Sequence, residues 1–333
     1  MALVVGYSRC PIVGPSRRWS DDLRMRPTRA PESLVSLLVA LVLGIVQGVF
    51  MFVPVSSTSH LVLTQTLMAE RLGIELPPPD SPELILFDLV VHVGTLVSVV
   101  IVMGDGLKEL WLGVRQEVGS GQLRAEGLGA STSTRLVSLM VLSVAVTGGL
   151  GLTFQEQLTE GFGSPPAVAL ALVATGAMLW WTDAMTPDKS GDRLVFGWRD
   201  TTRMTVLTAV VIGGAQAAAL MPGLSRSGTT IFAALLLGTQ RTLAARYSFY
   251  IAIPTILAAT GVQLLQVMLG QGLGTISWGA MAVGFVVAAA VGTAALWLVL
   301  RLLEAARFRI FSVYVWLLAS AVLVFGLGTG GHG

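Results

Sequence analysis

The chain has 333 residues, of which 53% are hydrophobic and only 12% charged, with a formal net charge of +2. Soluble domains carry about a quarter charged residues, so this composition excludes an ordinary soluble domain and points to a membrane protein. The small basic excess needs no nucleic-acid partner, and the single cysteine, Cys10, excludes an internal disulfide framework.

In chain order, residues 1–32 form a polar tail, read as disordered. Arg17 and Arg18 are followed by no apolar stretch until Leu34, so the tail is not a signal peptide. Met25 offers an alternative start just before the first apolar segment. From there to residue 330 the chain reads as one polytopic membrane domain. Apolar segments of bilayer-crossing character cover 33–53, 84–103, 136–154, 166–181, 204–220, 243–269, 276–303 and 310–327. Two pieces, 61–68 and 229–237, are too short to span. Each follows a polar, Pro-containing break, the pattern of broken or re-entrant helices lining a cavity.

Arg and Lys collect in the tail and in the loops expected at 104–135, 182–203 and 304–309. The positive-inside rule places these in the cytoplasm, with loops 69–83, 155–165 and 270–275 on the other face. The expected location is the plasma membrane, multi-pass, with a cytoplasmic N-terminus.

The two breaks resemble each other. GIVQGVFMFVPVSSTSH starts at Gly44 and GGAQAAALMPGLSRSGTT at Gly213. Aligned on Pro54 and Pro222, Ser57 meets Ser225 and Ser59 meets Ser227. Gln47 and Gln216 fall one residue out of register. The spacing is about half the chain, which suggests a duplication with repeats near 33–183 and 203–330. Interrupted segments at corresponding positions of two halves point to a site at the repeat interface. The alternative is chance, since Ser and Gly are common in membrane helices.

The second break carries Arg226 between apolar helices, flanked by Ser225, Ser227, Thr229 and Thr230. An intramembrane charge is costly and is usually functional or paired. Gly223 and Gly228 permit tight turns, and Ser227 is placed to cap a helix from Gly228. Hydroxyl donors, an arginine and a helix start together suggest a phosphate cradle. The competing reading is an Arg226–Asp88 pair that holds helices together.

The first break supplies Ser56, Ser57, Thr58, Ser59 and His60. A hydroxyl becomes a nucleophile once a base takes its proton, and histidine suits that task near neutral pH. Ser57 and His60 share a face if a helix starts near Ser56. The bland alternative is Ser/Thr bonding to helix carbonyls. Asp88 and His92, at i and i+4, are either a structural pair or proton-transfer groups. Arg246 is read first as marking a cytoplasmic helix end.

PVSSTSH and PGLSRSGTT, supported by FDLVVHVGTL at 87–96 and AARYSFYIAIPTIL at 244–257, resemble the signature regions of the undecaprenyl-pyrophosphate phosphatase (bacitracin-resistance) family. The resemblance runs from about residue 34 onward. It implies an all-α membrane bundle with two inverted repeats and broken helices. It also implies removal of the terminal phosphate of a C55 polyisoprenyl diphosphate, which recycles the lipid carrier for cell-wall synthesis. Ser57 would be the nucleophile, His60 its acid/base partner and Arg226 the phosphate clamp. Ser56, Thr58, Ser225, Ser227, Thr229 and Gln47 would supply further phosphate donors. A homodimer is left open.

One departure stands out. The family carries two glutamates four residues apart before the first Pro, which implies a divalent cation (Mg²⁺ or Ca²⁺) or acid/base work. Here those positions hold Gln47 and Met51, so no metal ligand is assigned. Asp88 and Glu83 are the acids that could compensate. Two further readings therefore stand beside a phosphatase of altered catalysis: an isoprenyl-phosphate binder or transporter, and an inactive paralogue.

Overall fold

A computed structural model describes residues 36–77, 81–121, 132–154, 165–185, 204–270 and 276–328. The tail and the basic loop residues Lys189, Arg193, Arg199 and Arg203 lie outside these. The described residues form α-helices: α1 Leu37–Phe52, α2 Ser57–Thr66 continued by a π-turn Leu67–Arg71, α3 Pro82–Gly119, α4 Thr132–Thr153, α5 Pro165–Ala184, α6 Val206–Ala218, α7 Arg226–Leu236, α8 Arg241–Gly270, α9 Trp278–Glu304 and α10 Arg309–Gly328. Among them α3, α4, α5, α8 and α9 are long and apolar enough to cross a membrane, and α1, α6 and α10 are shorter apolar helices. The protein is an all-α, multi-pass membrane protein.

Each expected apolar segment is helical over most of its described residues. One expectation is corrected: the first half of the loop placed at 104–135 is helix, because α3 runs on to Gly119. At 1.5 Å per residue its 38 residues span about 57 Å, well beyond a hydrocarbon core of about 30 Å. No Pro interrupts it after Pro82, so its polar last turns stay helical outside the core. α1 and α6 are short for the opposite reason: Pro54 and Pro222 end them.

Side-chain caps mark the helix starts. Ser36, Ser81, Thr205 and Ser225 each accept the backbone N–H three residues on, at 3.2–3.3 Å, a contact typically contributing ~1 kcal/mol. α4 is capped from a distance: the Glu117 carboxylate of α3 accepts Ser133 N and Thr134 N at 2.9 and 2.8 Å, placing negative charge at a helix N-terminus.

The helices run in one order twice, a short one, a break, a short one, then three longer ones. The packing crosses between the halves. α1 lies on α9, α6 on α4, and α5 on α10. Small residues allow the close approach. A Cβ on Gly44 would meet Gly284 O at 3.0 Å, and one on Gly94 would meet Phe285 O at 2.7 Å. On the other side, a Cβ on Gly213 would meet Ser143 O at 2.6 Å. Membrane interfaces rely on such small residues because lipid supplies no hydrophobic drive between helices.

Polar contacts supplement the packing. Ser143 donates to Ala209 O and accepts from Tyr247 OH, at 2.7 and 2.8 Å. At the start of α8 Arg241 donates to the carbonyls of Thr182, Asp183, Met185 and Leu303 and faces Asp183 at 3.9 Å. Asp183 in turn accepts Arg309 N at 2.8 Å. Both side chains are buried. Asp183→Ala would remove a buried carboxylate that faces Arg241 and is expected to cost about 3 kcal/mol, read as a lowered melting temperature in detergent. Asp183→Asn keeps an acceptor for Arg309 N and should cost less.

Candidate active site at the two helix breaks

Both breaks contain a residue in the left-handed region. In the second it is Gly223, φ +95°, where a Cβ would meet Val168 O at 2.6 Å; only glycine fits. In the first it is Ser56, φ +71°, a conformation that is uncommon for a residue with a side chain and characteristic of functional sites. Ser56→Gly relieves that strain but removes the Ser56 Oγ···Ser59 Oγ bond of 3.1 Å. Its stability should stay within about 1 kcal/mol of the parent, whereas Ser56→Val should lose about 2 kcal/mol or more. Thermal unfolding of the two variants checks the contrast.

The fold brings the breaks together at their helix ends. Ser227 Oγ donates to Phe52 O at 3.5 Å. Arg226 Nη2 lies 3.9 Å from the Met51 sulfur, which also accepts Gln47 Nε2 at 3.5 Å. A polar line thus runs Gln47, Met51, Arg226 across the joint between the halves. Along it Gln47 Oε1 and Arg226 Nη1 are buried without hydrogen-bond partners. Among the described residues no carboxylate lies within 4.0 Å of Arg226. Asp88 does not neutralise it, and Asp88 Oδ1 is itself buried and unpartnered. A thioether is a weak acceptor, so the guanidinium keeps most of its donor capacity.

Ser57 and Thr58 open α2, and both are partly exposed. Neither hydroxyl has a hydrogen bond among the described residues. The N-terminus of α2 has no side-chain cap, so its first N–H groups remain available to an anion. His60 is fully engaged. Nδ1 donates to Ser56 O at 2.7 Å, and Nε2 lies 2.7 Å from Tyr314 OH. Its ring stacks on Phe50, with centroids 3.7 Å apart. His60 makes no hydrogen bond to Ser57.

In the second break Ser225, not Ser227, is the cap, and α7 starts at Arg226 rather than Gly228. Ser225 has the extended backbone that a capping residue needs. Thr229 Oγ1 donates to Ser225 O and Thr230 Oγ1 to Arg226 O. Sequence reasoning passed over Thr175 of α5, which donates to Gly223 O at 3.0 Å and accepts Ser225 N at 3.2 Å. It also passed over Tyr314 of α10. Neither lies in a motif, so no local signal marked them. The Asp88–His92 expectation changes: the backbone carbonyl of Asp88, not its carboxylate, accepts His92 Nδ1 at 2.6 Å. Arg246 is buried in the second turn of α8 and lines a cleft of about 230 Å³ with Tyr250, Arg301 and Glu304.

Gln216 of α6 is the counterpart of Gln47 of α1, one residue out of register, and its environment differs. Its Nε2 donates to Thr147 and Thr255 hydroxyls, both at 3.1 Å. Gln216 ties helices together, while Gln47 faces the joint with Arg226.

The family model for the bacitracin resistance protein BacA matches residues 40–321, a range that contains both breaks. The chain belongs to the bacitracin resistance protein BacA family. Among its relatives, the undecaprenyl-diphosphatase of Halorhodospira halophila is 44% identical over 290 residues, 87% of this chain and 98% of the relative. That of Alkalilimnicola ehrlichii is 45% identical over 288 residues, 86% and 96% of the two chains. Undecaprenyl-diphosphatase 2 of Stutzerimonas stutzeri is 34% identical over 294 residues, 87% and 98%.

Within this BacA-family site the donor set fits a hard divalent cation poorly. Such ions take oxygen ligands, mostly carboxylates. The turn offers one amide oxygen and a thioether, beside a guanidinium that would repel the ion. No group of three or more His, Cys, Asp or Glu side chains clusters among the described residues.

Proposed function

We propose that the chain hydrolyses a polyprenyl diphosphate, undecaprenyl diphosphate by analogy with its relatives, to the monophosphate and phosphate at the plasma membrane. The observation that carries this reading is Arg226. It is a cation with an unpartnered buried donor, held where two helix breaks from opposite halves of the chain meet. Guanidinium recognises phosphate through two parallel N–H donors. The uncapped start of α2 adds backbone donors and the free hydroxyls of Ser57 and Thr58.

In this reading Ser57 Oγ bonds to the terminal phosphorus and the bond to the bridging oxygen breaks, releasing polyprenyl monophosphate. The Ser57 proton passes to His60, directly or through a water, at Nε2, whose lone pair Tyr314 OH holds in the resting site and gives up as the proton arrives. Water then hydrolyses the phosphoserine and restores the hydroxyl. Arg226 binds the charge that develops on the phosphoryl oxygens. The two halves are proposed to be inverted repeats, with the site on their shared axis.

The test is phosphate release from C55 and shorter polyprenyl diphosphates by purified protein in detergent, with EDTA and with added Mg²⁺ or Ca²⁺. Release that persists in EDTA and disappears in Ser57→Ala is the expected result. The neutral Gln47–Met51 turn favours a second reading, a polyprenyl-phosphate binder or transporter. Saturable lipid binding with no turnover on long incubation would replace the first reading by the second.

A further inference from the structure

The two breaks are braced in the same way from opposite halves. Thr175 on α5 holds the second break by bonding Gly223 O and Ser225 N. The first break is held by α10 through His60. Nδ1 of His60 lies 2.7 Å from Ser56 O, the carbonyl of the strained residue. A carbonyl only accepts, so the ring proton is on Nδ1. Nε2 then carries the lone pair, and Tyr314 OH, 2.7 Å away, donates to it. The Tyr314 ring lies nearly parallel to the imidazole, at 16° and a centroid distance of 5.7 Å, and Phe50 stacks on it at 3.7 Å.

The geometry points to Tyr314 as the positioning residue of His60. Ser56 O fixes the tautomer with the proton on Nδ1; the Tyr314 hydroxyl holds the basic nitrogen, Nε2, in a fixed direction, while its ring and that of Phe50 set the imidazole plane. Tyr314 lies 254 residues from His60 in sequence. It therefore makes the acid/base group of one half of the chain depend on the last helix of the other. The kinetic consequence rests on the hydrolytic function proposed above; the tautomer does not.

The experiment uses the full chain, ¹⁵N-labelled at histidine, in lipid nanodiscs. The chain has only three histidines, so a His60→Gln sample assigns the His60 signals. The parent should show a protonated Nδ1 and an unprotonated, hydrogen-bonded Nε2. Tyr314→Phe keeps the ring and removes the hydroxyl. It should shift the Nε2 resonance, while Nδ1 stays protonated against Ser56 O. In turnover assays it should lower kcat by up to about a hundredfold, the loss that a misplacement of about 1 Å can bring, and move the pH profile with KM little changed. Tyr314→Leu, which also removes the stacking ring, should broaden the His60 signals further. A parent protonated on Nε2, or a Tyr314→Phe spectrum matching the parent, overturns the inference even if hydrolysis is intact. A parent with the expected tautomer but no hydrolysis leaves the positioning role standing and removes the proposed reaction.

Discussion

Arg226→Ala is expected to lower kcat/KM for a polyprenyl diphosphate by about 10²- to 10³-fold, the usual effect of removing one preorganised donor from a developing oxyanion. The melting temperature should hold or rise in the same variant. Burying an arginine with an unpartnered Nη1 costs desolvation that its contact with the Met51 sulfur at 3.9 Å does little to offset. Activity and stability should therefore move in opposite directions, as they do where a site is held at the expense of the fold. Arg226→Lys keeps the charge but loses the two-donor geometry and should recover only part of the rate. Parallel turnover and thermal-unfolding measurements decide it. A variant that unfolds early and keeps its turnover would make Arg226 a packing residue.

Gln47→Glu combined with Met51→Glu is the second large effect. The two positions are one helical turn apart on α1 and already touch. The double variant would place paired carboxylates beside Arg226. Hydrolysis should rise roughly tenfold or more with Mg²⁺ or Ca²⁺, and EDTA should abolish that increment, because the turn then offers the oxygen ligands such ions take. Met51→Glu alone should behave differently. Its carboxylate pairs with the unpartnered guanidinium, so KM should rise and the melting temperature should increase. Initial rates against cation concentration for the parent and the two variants separate these outcomes. A double variant indistinguishable from the parent would show that acid chemistry at this turn plays no part.

Much of this was legible in the chain itself. Eight apolar segments lie where helices lie because a buried backbone in lipid must bond internally, and the helix is the local way to do so. Pro54 and Pro222 end α1 and α6 for a covalent reason, the missing N–H and fixed φ of proline. The end of α3 was misplaced because charged residues at 104–119 look like a loop to a hydropathy reading. They are sound helix formers once outside the bilayer.

The composition, the breaks, the hydroxyl run Ser56–His60 and the lone Arg226 follow from local residue chemistry, and the family resemblance rests on the same motifs. Tertiary structure alone decided the partners. That Arg226 meets Met51 and not Asp88, that Thr175 grips Gly223, and that Tyr314 reaches His60 all depend on how the halves cross-pack. The cross-packing is set by steric fit at residues such as Gly44, Gly94 and Gly213. A glycine has no side chain to announce its neighbour, so these contacts leave no periodic signal in the chain. Packing between helices in lipid is a matter of shape more than of hydrophobicity, and shape exists only once the helices are side by side.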